Sequence, residues 1–373
     1  MIQIFTSNRS SPLAVTPAVH GGIDEAELRA LGLERTEVID FSANQSPLAV
    51  SPRIRAAIAG AVLEAYPDRD ARGFAGAVAI RHGVDPAQVV VGNGSTELIR
   101  LLAQIILREG DVALSLAPSF GEYEVASVIA RASFIEHRLF LEKGAFIYRE
   151  DAFVRALEQF LPKLCWLCSP NNPTGTAVPP QAIEELVACF PGIVFVLDEA
   201  YCDLLEYPQW TATTLARGNL VVLRSMTKAW GLAGLRLGYA LAHDSMAAAL
   251  RAAKPPWSVN ACAQAAGEAV LNDPAAYYEA VRLLRSGRDD LVLGLWAQGW
   301  TVLPSDAGFF LVRVRNAALV RRRLLEQGCL VRDCSSFGLS QYIRISPRLP
   351  AQNRLLLAAF AKLEELRPDG EPR

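Results

Sequence analysis

The sequence predicts an α/β fold: a mostly parallel central sheet flanked by helices, with a smaller α+β domain. Three observations carry this expectation. Short apolar, β-branched runs alternate with stretches of helical spacing, the pattern of strands buried on both faces. Each run ends in a polar or glycine-rich segment, and ligands on parallel sheets gather at the carboxyl ends of the strands. Beyond a charged helical stretch comes a second, shorter set of strand-like runs.

In chain order, Val89-Val90-Val91 leads into Gly92-Asn93-Gly94 and a helical stretch from Thr96 to Leu107. Val112 to Leu116 leads into Ala117-Pro118, and Leu164 to Cys168 into Ser169-Pro170-Asn171-Asn172-Pro173. Ile193 to Leu197 leads into Asp198-Glu199, and Leu220 to Leu223 into Arg224-Ser225. Asp273 to Gln298 has helical spacing and many charges. Trp300 to Leu303, Phe309 to Val314, Cys329 to Arg332 and Tyr342 to Ile345 then read as strands. The expected division is a large domain over residues 49–265 and a small one made of 1–48 and 266–373.

The 373 residues carry a net charge of -2, from 37 Lys and Arg against 39 Asp and Glu. That balance gives no electrostatic footprint for nucleic acid or an anionic membrane. With 51% hydrophobic and 20% charged residues the composition is globular, which excludes a disordered or low-complexity chain. No uncharged apolar run approaches the roughly 20 residues of a spanning helix. Met1 to Arg9 lacks a basic segment followed by an apolar one, so no secretory signal is expected. Seven scattered cysteines then point to reduced thiols in a cytoplasm. Cys165 and Cys168 lie in an apolar run and read as buried core thiols, and the four dispersed histidines suggest no metal cluster.

The chemistry concentrates in Ser225-Met226-Thr227-Lys228-Ala229-Trp230-Gly231-Leu232-Ala233-Gly234-Leu235-Arg236. A lysine follows a strand end, flanked by hydroxyls, with an arginine further on. Lysine is the side chain that forms Schiff bases, while hydroxyls and a guanidinium suit a dianionic phosphate. Gly94-Ser95-Thr96, between a strand and a helix, offers amides and hydroxyls at a helix N-terminus, which also suit phosphate. An ordinary N-cap fits Ser95 and Thr96 equally well.

The string around Lys228 resembles the cofactor-lysine motif of the fold-type I pyridoxal-phosphate (PLP) enzymes, in their aminotransferase class I/II branch. The resemblance runs in order over most of the chain and implies an aspartate-aminotransferase-like fold with PLP as cofactor. In Asp198-Glu199-Ala200-Tyr201 it implies that Asp198 pairs with the pyridinium nitrogen and Tyr201 bonds the ring oxygen. Asn171-Asn172-Pro173-Thr174-Gly175 resembles the family turn whose asparagine, here Asn172, meets the same oxygen. Ser95, Thr96, Ser225, Thr227 and Arg236 take phosphate-binding places, and Phe120 the place of the aromatic stacked on the ring. Tyr66, in Tyr66-Pro67-Asp68, matches the tyrosine that reaches the cofactor phosphate of a neighbouring subunit, which implies a homodimer with shared sites. Arg344 matches the arginine that forks onto the substrate carboxylate.

Four further segments are similar to the threonine-phosphate decarboxylase branch, which serves cobalamin biosynthesis. They are His20-Gly21-Gly22, Asp40 to Asn44 with Pro47-Leu48, Pro256 to Asn260, and Val331 to Phe337. This resemblance implies a small phosphorylated amino acid as substrate, with His20 and Arg332 close to its phosphate and Asn44 at the substrate. It implies decarboxylation of L-threonine O-3-phosphate. Amino transfer from histidinol phosphate or a related amino acid is the alternative, and a non-catalytic PLP-binding sensor a third. The chain departs from the family at Ser46-Pro47-Leu48-Ala49 and at Gly308, and these departures bear on the substrate rather than the cofactor.

Overall fold

The computed structural model describes residues 15–204 and 218–368; Met1 to Arg9, read above for a leader, lies outside them. The strands in chain order are β1 Ile39–Asp40, β2 Val89–Asn93, β3 Val112–Ala117, β4 Ser133–Arg138, β5 Phe140–Glu142, β6 Ala145–Ile147, β7 Leu164–Cys168 and β8 Val194–Asp198. They continue with β9 Leu220–Ser225, β10 Leu237–Ala242, β11 Thr301–Val302, β12 Phe310–Arg313, β13 Cys329–Leu330, β14 Arg332–Asp333 and β15 Tyr342–Ile345.

Seven strands form the central sheet in the order β2-β10-β9-β8-β7-β3-β4. The pairs from β9 to β4 are parallel, and β10 runs antiparallel between β2 and β9. Strands β7, β9 and β10 are buried along their whole length, as a sheet covered by helices on both faces requires. The helix Gly94–Ile106 springs directly from β2 and buries Leu98, Ile99, Leu101 and Leu102.

Two strands of this sheet carry no clean sequence signal. Glu136, His137 and Arg138 interrupt the apolar pattern of β4, and β10 reads Leu-Gly-Tyr-Ala-Leu-Ala, rich in poor strand formers. Gly238 in β10 is needed for close packing: a Cβ there would stand 2.6 Å from the Ser95 amide nitrogen.

A four-stranded antiparallel sheet, β11-β12-β15-β14, lies beyond the long helix Ala275–Ala297. The run expected as one strand from Cys329 to Arg332 is two. β13 pairs with β1 and β14 with β15, because the chain changes sheets at Val331. The parallel β1–β13 pair ties the N-terminal segment to the C-terminal part. Phe41, Leu291, Trp300, Phe310, Ile343 and Phe360 form a core of their own there. The helix Ala261–Asn272 runs through residues 265 and 266 and packs on helices Pro52–Ala59 and Arg72–His82.

His82 is buried with a ring nitrogen 2.8 Å from the Tyr239 hydroxyl of β10. Burial, with the Arg224 and Arg81 charges, holds its pKa down at about 3. Unfolded chain takes up that proton near pH 6.5, so the buried neutral ring costs stability as pH falls below about 6.5. His82→Asn should flatten the stability loss between pH 6.5 and 5 by up to ~1.4 kcal/mol per pH unit, read from urea melts.

Candidate active site

Three parallel strands end side by side. The register pairs Cys168 of β7 with Asp198 of β8, and Asp198 with Leu223 of β9. Beyond β9 the chain turns into Thr227 and Lys228, while β2 ends at the N-terminus of the helix Gly94–Ile106. These ends enclose a cavity of about 250 Å³. His20, Ser95, Thr96, Phe120, Asp198, Tyr201, Ser225, Thr227, Lys228 and Arg236 all line it. So do Tyr123, Cys168 and Ala200.

Asp198 is buried, and each carboxylate oxygen has one donor: the Ala200 amide at 3.0 Å and the Tyr123 hydroxyl at 2.7 Å. Burial pushes its carboxyl above the ordinary range, against the pull of the Tyr123 and Ala200 bonds and of Lys228. Lys228 makes no side-chain hydrogen bond among the described residues; its Nζ lies 5.8 Å over the Tyr201 ring. Burial, then the Arg344 and Arg236 charges, lower its pKa to about 8. A lysine amine made partly neutral near physiological pH is a nucleophile.

At the opposite end Ser225 Oγ and Thr227 Oγ1 stand 2.7 Å apart. Arg236 adopts the left-handed conformation, φ 58°, and bonds the Ala233 carbonyl at 3.1 Å. Gly94 makes room for it, since a Cβ there would lie 2.7 Å from Arg236 Nη2. Helix amides, two hydroxyls and a guanidinium around one space form a cradle for a phosphate.

On the side toward β15, Arg344 is fully buried. Its Nη1 donates to Asn172 Oδ1, its Nη2 to the Ser42 carbonyl at 2.7 Å, and its Nε has no acceptor. Asn44 is 3% exposed; its amide interacts with the Tyr201 hydroxyl outside close hydrogen-bond geometry and has no other polar partner. A buried polar group left unpaired costs about 1–3 kcal/mol, which makes both side chains candidates for ligand contact. Arg332 lies directly opposite Arg344 across the β14–β15 pair and is itself buried. Its Nη2 donates to the Val19 carbonyl at 2.9 Å and to Ser336 Oγ at 2.7 Å. Burial lowers the pKa of both arginines, and for Arg332 the Arg344 charge adds to it.

His20 bonds Glu122 Oε1 at 3.1 Å, and Glu122 Oε2 accepts from Arg100. Tyr66 stands apart from this cavity, 80% exposed and stacked on Trp257 at 4.5 Å. Sequence reasoning missed Tyr123, Glu122 and Arg100, since no local motif marks them. Tyr123 is fully buried, stacked on Trp166 at 5.2 Å, whose indole N–H donates to Ser127 Oγ at 3.1 Å. Cys165 and Cys168 are free buried thiols. Among the described residues no group of His, Cys, Asp and Glu is arranged to hold a metal ion, and no helix is long and apolar enough to cross a membrane.

A buried lysine and aspartate on adjacent strand ends, beneath a helix N-terminus, define a PLP-dependent enzyme of the α/β class. The chain belongs to the aminotransferase class I and II family, whose model matches residues 36–360. It is 36% identical to histidinol-phosphate aminotransferase 2 of Carboxydothermus hydrogenoformans over 90% of this chain and 93% of that protein. Among solved structures it is similar to L-threonine-O-3-phosphate decarboxylase from Porphyromonas gingivalis. That likeness has TM-score 0.77 and 30% identity, over 87% of this chain and 99% of the other. It also shares the fold of histidinol-phosphate aminotransferase from Sinorhizobium meliloti in complex with pyridoxal-5'-phosphate (TM-score 0.84, 22% identity, over 96% of this chain and 98% of the other). PLP is the cofactor of this family, and the phosphate cradle, Lys228 and Asp198 fit it.

Because only the neutral amine attacks an aldehyde, uptake of PLP by the apoprotein should quicken with pH and reach half its maximum at about pH 8. Stopped-flow absorbance measures this. A midpoint near 10 would mean that Lys228 keeps its ordinary acidity.

Proposed function

We propose that this enzyme decarboxylates a phosphorylated amino acid, L-threonine O-3-phosphate, to (R)-1-amino-2-propanol O-2-phosphate. The observation that carries this reading is the pair Arg332 and Arg344, buried opposite one another on β14 and β15. Two like charges facing across a strand pair repel. A substrate with both a carboxylate and a phosphate gives each guanidinium its own anion. The unpartnered Nε of Arg344 suits the carboxylate, and Arg332, bonded only through Nη2, keeps the rest of its fork for the phosphate. His20 flanks Arg332 through the segment it shares with Val19.

PLP supplies an aldehyde for the substrate amine and a ring that accepts an electron pair released at the α-carbon. Ser95, Thr96, Ser225, Thr227 and Arg236 would hold its phosphate, Asn172 and Tyr201 its ring oxygen, and Phe120 its ring. Asp198 would hold the proton on the ring nitrogen, with Tyr123 fixing the carboxylate. Lys228 would hold the cofactor and move a proton at the substrate α-carbon. Arg344, Arg332 and Asn44 orient the substrate and so select the bond that breaks. The exposed Tyr66–Trp257 stack supports a homodimer in which Tyr66 reaches the partner's phosphate site. Its proposed setting is the cytoplasm, with residues 49–265 as the large domain and 1–48 with 266–373 as the small one.

A second reading is favoured by a separate observation. Curated relatives at 33–36% identity carry the name histidinol-phosphate aminotransferase, and the same residues serve amino transfer if a proton leaves the α-carbon instead of CO2. Holoenzyme incubated with O-phospho-L-threonine and no oxoacid should form aminopropanol phosphate over many turnovers, read by mass spectrometry. No CO2 release, with oxoacid-dependent transfer from histidinol phosphate, would replace the first reading with the second.

Two variants follow from the roles. Arg332→Ala should raise KM for the phosphorylated substrate by about tenfold or more and spare the unphosphorylated analogue; equal effects on both would remove its role. Tyr66→Phe should weaken PLP retention on dialysis, and unchanged retention would count against the cross-subunit contact.

A further inference from the structure

We infer that Arg348 is a positioning residue: it clamps the loop Asp40–Ser46, so that Asn44 faces the substrate in fixed register with Arg344 and Lys228. Arg348 is buried, and its three guanidinium nitrogens all donate to backbone carbonyls of this one loop. Nε bonds Asp40, Nη1 bonds Gln45 at 2.8 Å, and Nη2 bonds Ala43 at 2.7 Å. Arg344, on β15, takes the Ser42 carbonyl. Two arginines thus hold four carbonyls on both sides of Asn44.

The clamp joins parts of the site that the chain keeps far apart. Its outer end is tied to the long helix: the Arg348 amide donates to Asn353 Oδ1 at 2.8 Å, and Asn353 Nδ2 to the Gly287 carbonyl at 3.0 Å. Its inner end reaches the lysine, since the Ser46 amide donates to the Lys228 carbonyl at 2.8 Å. Within the loop, Asp40 Oδ1 caps the turn by accepting from the Ser42 amide and hydroxyl at 2.7 and 2.6 Å. The buried Asn44 amide, beside the Tyr201 hydroxyl, has no close hydrogen bond within the loop.

A cation facing three carbonyls, with no ion-pair partner among the described residues, is costly to bury. It persists where planar geometry is needed: only a guanidinium presents a fork of donors to three acceptors in different directions, and a lysine ammonium cannot reproduce it. The consequence falls on substrate rather than cofactor, because Arg348 bonds neither the phosphate cradle nor Asp198 and the loop meets Lys228 through its backbone carbonyl, not its amine. The role of Asn44 belongs to the proposed function, so the test is run with both O-phospho-L-threonine and histidinol phosphate plus 2-oxoglutarate. Its outcome then stands whichever substrate turns over.

In the Arg348→Ala holoenzyme, hydrogen exchange of the peptide covering residues 40–46 should quicken. KM for the substrate turned over should rise about tenfold, with kcat and the PLP absorbance band little changed. Guanidinium chloride at tens of millimolar should restore KM by filling the vacated place. Asn44→Ala should raise KM to a similar degree, and the double variant should add little to either. Should Arg348→Ala fail to fold, Arg348→Lys keeps the charge without the fork and should still raise KM. Wild-type KM in a folded Arg348 variant overturns the inference, as does loss of PLP and melting temperature together without rescue by guanidinium. Strict additivity with Asn44→Ala overturns it too.

Discussion

The alignment of β7, β8 and β9 is the constraint on which the site depends. Parallel pairing sets Cys168, Asp198 and Leu223 in one row, and the chain leaves each strand at the same edge. Side chains alternate faces along a strand, so a slip of one residue in β8 would turn Asp198 away from the cavity. Backbone bonds extend the register past the strand ends: the Ser169 amide donates to the Asp198 carbonyl at 3.0 Å and the Glu199 amide to Leu223 at 2.9 Å. The long run of apolar contacts in the large core is what makes such a slip expensive.

The molecule uses buried arginine in two ways. Arg224 is enclosed by carboxylates, with Glu199 at 2.7 Å and Asp203 at 3.1 Å; Asp203 also accepts from the Trp230 indole at 3.1 Å. With Arg81 4.0 Å from Asp203, the cluster balances its charges and braces the segments on either side of Lys228. Arg332, Arg344 and Arg348 instead donate to carbonyls, an amide and a hydroxyl. Carbonyls satisfy hydrogen bonds without cancelling charge. The Arg344 charge, opposed by the nearby Asp40 carboxylate, reaches Lys228 and lowers its pKa.

What was legible in the sequence was what lies contiguous in it. The strand-to-turn strings ending at Gly94, Asp198 and Lys228 carry their chemistry within a few residues, and the cavity gathers them. The partners of those residues were not legible. Tyr123 meets Asp198 across 75 positions, His20 meets Glu122 across 102, and Arg348 meets the loop at Asp40 to Gln45 across more than 300. A single tyrosine or arginine at such distance leaves no periodicity and no motif. Strand β10 was hidden for another reason: its small residues are chosen for close approach to the helix at Gly94, which overrides strand propensity.

On the proposed reading, the choice between losing CO2 and moving a proton is geometric, and the arginine pair bears on it. An amine held at the cofactor fixes one point of the substrate, and one anion on Arg344 fixes a second. The α-carbon still rotates about the line joining them. A third point at Arg332 removes that rotation, so one bond of the α-carbon stays aligned for cleavage. Removing the third anchor then does more than weaken binding, because the other bonds regain access to the same alignment. On the proposed reading, specificity for substrate and specificity for reaction rest on the same two cross-strand residues, with the loop that Arg348 is inferred to clamp as the wall beside them.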